Sequence, residues 1–129
     1  MTSILLLSHS NKLANGLKEL LSQMASSTQI EVSGGTEDGE LGSNFDEIQN
    51  KMTSLAKQGN LVVFFDAGSS MMNSQMVYES LEDGLKEKVI IADMPIVEGS
   101  IEVSVKIETG TDFEEIKEYI SNNKYGKLS

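Results

Sequence analysis

An α/β domain is predicted, with a parallel sheet of about four strands and helices on both of its faces. Short apolar-rich runs recur at residues 4–7, 30–32 (interrupted by Glu31), 61–65 and 89–92. Between them lie stretches whose apolar residues return with helical spacing. The run Leu61-Val62-Val63-Phe64-Phe65 carries no polar residue to face water, which is what a strand covered by helices on both sides requires. Alternation of this kind specifies a doubly wound parallel sheet.

Ile4-Leu5-Leu6-Leu7 reads as a buried first strand, followed by a helix with Leu13, Leu17, Leu20, Leu21 and Met24 on one face. Ile30-Glu31-Val32 is a short second strand that ends at Gly34-Gly35. Phe45, Ile48, Met52 and Leu55 mark a second helix, stopped by Gly59. After the strand at 61–65, Met72, Met76, Val77 and Leu81 indicate a third helix that ends near Gly84. Val89-Ile90-Ile91-Ala92 is the fourth strand. Residues 96–108 fit either period: Ile101, Val103, Val105 and Ile107 alternate as in a strand, whereas Val97, Ile101, Val105 and Glu108 share a helix face. The βα rhythm favours a helix. Thr111-Asp112-Phe113-Glu114 resembles a capping box, with Phe113, Ile116 and Ile120 turned inward. Residues 122–129 are polar and expected to be a loose tail. No repeat or linker interrupts residues 1–129, so one domain is expected.

Composition narrows the function. Ten Lys+Arg against twenty Asp+Glu give a formal net charge of −10, which repels nucleic acid and anionic membranes. All ten cations are lysines, so no arginine fork is available to grip phosphate. The absence of cysteine removes thiolate chemistry and disulfides, and fits a reducing, cytoplasmic setting. No stretch approaches the length of a signal-peptide core or a membrane span. No metal site or cofactor is implied.

In a parallel sheet the loops after the strands emerge on one edge and can converge. They carry Ser8-His9-Ser10, Gly34-Gly35-Thr36, Asp66-Ala67-Gly68-Ser69-Ser70 and Asp93-Met94-Pro95. His9 is the one histidine of the chain, and a neutral imidazole can act as a nucleophile near pH 7. Asp66 follows five apolar residues, where its carboxylate can orient that imidazole; capping of the next helix is the competing role. The N–H groups of Gly68, Ser69 and Ser70, at a helix start, can hold an anion without a cation; an N-cap serine is the competing role there. Gly35 and Thr36 can supply further donors. Glu37, Asp38 and Glu40 are expected to lie in solvent. The GxxxxGK[ST] and GxGxxG patterns are absent, which leaves nucleotide binding unsupported. A receiver domain would need an acidic pair after the first strand, where Ser8-His9-Ser10 stands.

These pieces resemble the phosphotransfer subunits of phosphoenolpyruvate-dependent dihydroxyacetone kinases and, more broadly, mannose-family enzyme IIA domains. The residues that carry the resemblance are Leu7-Ser8-His9-Ser10 with Ala14-x-Gly16-Leu17, then Gly34-Gly35-Thr36, Asp66-Ala67-Gly68-Ser69-Ser70 and Pro95-Ile96-Val97-Glu98-Gly99. Together they span nearly the whole chain. The resemblance implies a dimeric parallel α/β domain in which His9 takes a phosphoryl group from phospho-HPr. The group then passes to ADP on the ADP-binding subunit of the kinase, and Asp66 orients the imidazole. Some relatives carry HPr-like and enzyme I-like domains on the same chain; here those proteins are expected to be separate. An enzyme IIA of a mannose-type sugar transporter, or a non-catalytic regulatory module of the same fold, are the alternatives.

Overall fold

The computed structural model describes residues 1–126 and Leu128. The elements run β1 (Thr2–Ser8), α1 (Asn11–Met24), β2 (Ile30–Gly34), α2 (Phe45–Gln58), β3 (Asn60–Phe65), α3 (Gly68–Ser80), α4 (Asp83–Lys86), β4 (Val89–Ala92), α5 (Ile96–Glu108) and α6 (Phe113–Asn122). The strands form one sheet in the order β2-β1-β3-β4, and every pairing is parallel.

Alternate residues of the strands feed two cores. Ile4, Leu6, Val62 and Phe64 pack with Leu17, Leu21, Val103, Ile116 and Ile120 beneath α1, α5 and α6. Leu5, Leu7, Val63 and Phe65 pack with Ile48, Met52, Leu55 and Val77 beneath α2 and α3. The central strands β1 and β3 are therefore apolar from Ile4 to Leu7 and from Leu61 to Phe65, and the residues that leave their C-terminal ends stand over the close-packed centre of the sheet.

The chain runs from β1 to β2 on one side, then crosses to β3 on the other. The loops after β1 and β3 diverge at that point and open the crevice where such sheets bind ligands. Register completes the placement. Leu7 pairs with Phe65, so Ser8-His9 and Asp66 leave the sheet side by side.

Several helix faces differ from the expected ones. In α1 the buried stripe is Ala14, Leu17 and Leu21, while Leu13, Leu20 and Met24 are 42–44% exposed. Those three lie roughly a quarter turn away, beyond the width of helix that the sheet can cover. In α3 the error is larger. Met72 and Met76 are exposed, and the inner stripe is Ser70, Ser74 and Val77, with Leu81 just past the helix end. The Ser74 hydroxyl donates to the Met71 carbonyl at 2.7 Å, which removes most of the cost of burying it. Small buried residues let α3 lie close to the sheet, and hydrophobic periodicity cannot register them. The helix also stops before Gly84, and the short α4 follows.

The segment 96–108 is a helix, but its inner residues are Gly99, Ser100, Val103 and Ser104, with Val97 and Val105 outward. The cap of α6 is Asp112, which accepts from the Glu115 N–H at 2.9 Å, one residue later than the expected box. Part of the C-terminal segment is hydrogen-bonded to Asp93. The Tyr125 N–H donates to the Asp93 carbonyl at 2.6 Å, and the N–H groups of Gly126 and Leu128 donate to Asp93 Oδ2 at 2.9 and 3.0 Å. Lys127 and Ser129, part of the same expected tail, lie outside the described residues.

Candidate active site

His9 stands one residue past β1, and Ser10 rather than His9 caps α1, accepting from the Leu13 N–H at 3.1 Å. The imidazole is thereby free for another role. Its side chain is 36% exposed, against 19% for Asp66.

Asp66 is held on both oxygens. Oδ2 accepts from the Ser8 hydroxyl and the His9 N–H, each at 2.9 Å. Oδ1 accepts from His9 Nδ1 at 2.9 Å and from the Ala67 N–H at 2.7 Å. Partial burial alone would raise the carboxyl, but the hydrogen bonds from His9, Ser8 and Ala67 outweigh it and hold Asp66 below its ordinary value. Asp66 is therefore ionised at neutral pH and can only accept. The proton of a neutral His9 ring must then sit on Nδ1, which leaves the Nε2 lone pair as the reactive one. The helix-cap role considered for Asp66 falls to Ala67.

Nε2 faces α3. The Ser69 hydroxyl lies 2.9 Å from it and, with the ring in that tautomer, donates to it. Ser70, 1% exposed, places its hydroxyl 3.4 Å from Nδ1. Ala67 is the N-cap and makes no side-chain cap bond, so both serines are free to face the histidine. The Ser70 N–H is bonded to the Ala67 carbonyl at 3.2 Å. Gly68 and Ser69 remain as first-turn N–H groups, which lack intrahelical acceptors; the dipole of α3 adds to their positive potential.

Gly68 lies in the left-handed region at φ +51°, and a Cβ there would stand 3.6 Å from His9 Nε2. Gly68→Ala is expected to lose about 1–2 kcal/mol and to place a methyl group in the space above the nucleophile. A thermal melt and the rate at which an imidazole-modifying reagent acylates His9 check the two effects.

The N–H groups of Gly35 and Thr36, expected as hydrogen-bond donors to phosphate, are bonded within the fold. The Gly35 N–H donates to the Ser8 carbonyl at 3.1 Å and the Thr36 N–H to the Glu40 carbonyl at 2.8 Å. The Thr36 hydroxyl accepts from the Glu40 N–H at 3.2 Å. These bonds shape the β2–α2 loop. Met94 is buried in the core beneath α1 and α5. Glu37, Asp38 and Glu40 are exposed. Among the described residues no group of three His, Cys, Asp or Glu side chains is arranged to hold a metal ion, and no helix is long and apolar enough to cross a membrane.

The ends of β1 and β3 thus hold a histidine clamped by an aspartate at the switch point, with a serine-rich helix start over its free nitrogen. Residues 3–117 match the EIIA-man family, described as the fructose IIA component of the PTS system. The chain belongs to this family.

Among EIIA-man relatives, the chain is 36% identical over 117 residues to the phosphotransferase subunit DhaM of a PTS-dependent dihydroxyacetone kinase from Lactococcus lactis, covering 91% of both chains. It is 35% identical over 123 residues to the phosphoryl donor subunit DhaM of dihydroxyacetone kinase 2 from Listeria innocua, covering 95% of this chain and 98% of that one. A DhaM from Escherichia coli is 27% identical over 120 residues, but these make up 25% of its length. A solved protein of unknown function, EF1359, superposes with a TM-score of 0.83 at 30% identity, covering 94% and 93% of the two chains. The resemblance to dihydroxyacetone kinase phosphotransfer subunits read from the sequence thus holds.

Two residues of this EIIA-man site were missed. Ser8 looked like the polar end of a strand, yet its hydroxyl holds Asp66 and accepts from the Ser10 N–H at 3.0 Å. Its place beside His9 was a usable signal. Ser43 comes from the β2–α2 loop, and its hydroxyl lies 2.9 Å from that of Ser69. Nothing in the linear sequence marks Ser43, because 26 residues separate the two.

Proposed function

We propose that the chain is a phosphohistidine carrier of a phosphoenolpyruvate-dependent dihydroxyacetone kinase. In this reading His9 accepts a phosphoryl group from phospho-HPr and passes it to ADP bound on the ADP-binding subunit. The observation that carries it is the contact between His9 Nδ1 and Asp66 Oδ1. Asp66 fixes the proton on Nδ1 at 2.9 Å, and Nε2 points at a partly exposed surface where a second protein can bring a phosphoryl group in line.

The Nε2 lone pair forms the new N–P bond while the bond from phosphorus to the donor's nitrogen breaks, its electron pair staying with the donor. The ring then carries positive charge, which the ionised Asp66 stabilises through Nδ1–H. In the second transfer a terminal phosphate oxygen of ADP attacks phosphorus, the N–P pair returns to Nε2, and ATP results. Phosphoryl transfer of this kind depends chiefly on positioning and electrostatics. Neutral donors such as the Gly68 and Ser69 N–H groups and the Ser69 hydroxyl suit a carrier that must release its cargo. Names of the Lactococcus and Listeria relatives support the kinase assignment. The homodimer, the cytoplasmic setting and an acidic surface that attracts a basic donor face belong to the same reading.

The family description, which names a sugar-system IIA component, favours a second acceptor: a component of a mannose-type transporter. One experiment separates them. With phosphoenolpyruvate, enzyme I and HPr the protein should gain one acid-labile, base-stable phosphate, mapped to the peptide that contains His9. A chase with ADP-loaded kinase subunit should drain the label into ATP, whereas a transporter component should leave it in place. Drainage only to the transporter component overturns the kinase assignment, and absence of label overturns the carrier.

A further inference from the structure

We propose that Ser43 is a positioning residue for phosphoryl transfer, acting on His9 Nε2 through the Ser69 hydroxyl. The proposal rests on the carrier reading and adds to it a residue from the β2–α2 loop.

The loop is fastened to the His9 segment at both ends. The Gly35 N–H donates to the Ser8 carbonyl at 3.1 Å and the Gly42 N–H to the His9 carbonyl at 2.9 Å. Asn44, the next residue but one, is the N-cap of α2 and accepts from the Glu47 N–H at 3.1 Å. Ser43 is held between these two anchors, half-buried. Its hydroxyl lies 2.9 Å from Ser69 Oγ and 3.4 Å from Ser70 Oγ.

The direction of these bonds follows from Asp66. With Nδ1 protonated, Nε2 can only accept, so the Ser69 proton points at Nε2. The lone pairs of Ser69 then face Ser43, and the Ser43 proton points at Ser69. Ser43 in turn can accept from Ser70, at the longer distance. All three hydroxyls thus donate in one sense, toward Nε2, and each polarises the next.

This order suits both ends of the reaction. Before transfer the chain holds Ser69 on the nucleophile and orients the ring. For Nε2 to attack, the Ser69 hydroxyl must leave the lone pair. Once the N–P bond has formed and the donor's bond to phosphorus has broken, a phosphoryl oxygen becomes the acceptor at the same end. Ser69 can turn to it while still accepting from Ser43, so no hydroxyl in the chain has to reverse. Ser43 therefore strengthens the Ser69 bond to the developing negative charge without touching the phosphoryl group.

The test compares Ser43→Ala, Ser43→Thr, Ser69→Ala and the Ser43→Ala/Ser69→Ala double variant, using enzyme I, HPr and phosphoenolpyruvate as the phosphate source. Ser43→Ala should slow phosphorylation of His9 on the order of 3- to 10-fold, the worth of one hydrogen bond. It should shift the 15N resonance of Nε2 and leave that of Nδ1 in place. Ser43→Thr, which keeps the hydroxyl, should restore both. In the Ser69→Ala background, Ser43→Ala should have little further effect, because the path to Nε2 is already cut. An unchanged Nε2 resonance in Ser43→Ala, or losses that simply add in the double variant, overturns the proposal. If the parent protein takes up no phosphate, the carrier reading fails, while the Nε2 resonance still decides whether Ser43 acts on His9.

Discussion

His9→Ala is expected to take up no acid-labile phosphate, and Asp66→Asn to take it up about 10²- to 10⁴-fold more slowly. The first result follows from the nucleophile itself. The second follows from the donors around Asp66. Oδ2 receives the Ser8 O–H and the His9 N–H, and Oδ1 receives His9 Nδ1–H and the Ala67 N–H. An amide placed there must turn its NH₂ toward one of these pairs, each of which holds a backbone N–H that cannot accept; beside the Ala67 N–H the one possible acceptor is the imidazole, if it changes tautomer. If it does, Nδ1 becomes an acceptor, the proton moves to Nε2, and the attacking lone pair is lost. If it does not, the amide turns to the other pair, where the Ser8 hydroxyl must rotate to accept and the His9 backbone N–H is left facing a donor, and it lacks the charge to stabilise the phosphorylated ring. Initial rates of label uptake, with folding checked by circular dichroism, measure the loss. Uptake at the parent rate in Asp66→Asn would reduce Asp66 to a structural brace.

The same hydrogen bonds set an acid limit. Asp66 titrates below its ordinary value of 3.8 in the folded protein. Between that folded value and the ordinary one, the unfolded chain binds more protons, so stability rises with pH. The contribution is complete above the ordinary value and is lost as pH falls through the lowered one. Denaturant midpoints measured from pH 6 downward should fall more steeply for the parent than for Asp66→Asn. Parallel slopes would show that the carboxylate gains nothing from its partners.

Gly34→Ala is expected to damage stability and activity together. Gly34 ends β2 directly against the start of α1, and a Cβ there would stand 2.7 Å from the Ser10 carbonyl oxygen and 2.8 Å from the Asn11 Cα. Both are backbone atoms and cannot swing aside as a side-chain tip would. The β2 end or the Ser8-His9-Ser10 turn must move, at a cost of about 1–3 kcal/mol. That turn carries the His9 N–H bonded to Asp66 and the His9 carbonyl bonded to Gly42, so a shift of a few tenths of an ångström disturbs the ring's orientation. A lowered melting temperature with reduced phosphate uptake is the expected pair of results. A stability loss with full uptake would show that the strain relaxes into β2 alone.

Much of the architecture was legible because its causes are local. Unbroken apolar runs at 4–7 and 61–65 could only be strands covered on both faces, and β4 at Val89–Ala92 fell where its own run begins and ends. His9 and Asp66 were legible for a related reason, since a polar residue at the end of such a run is carried to the edge of the sheet. The inner faces of α3 and α5 were not legible. Ser70, Ser74, Ser100 and Ser104 are buried, and at least Ser74 and Ser104 satisfy their hydroxyls on their own helix backbone. Hydrophobic periodicity treats such residues as solvent-facing, and so it turned Met72 and Met76 inward.

Composition and pattern determined the strands, the βα order, the lone histidine and the carboxylate able to orient it, because each depends on residue type along a short stretch. Family membership followed from the same residues. Their meeting was decided by the fold. The order β2-β1-β3-β4 puts the ends of β1 and β3 side by side, and the Leu7–Phe65 register brings Ser8, His9 and Asp66 within hydrogen-bond reach. Close packing of α3 through its buried serines then brings Ser69 and Ser70 to the ring, and the doubly anchored β2–α2 loop adds Ser43. Hydrogen bonds act over about 3 Å, a distance that no spacing along the chain specifies for residues 26 to 61 positions apart.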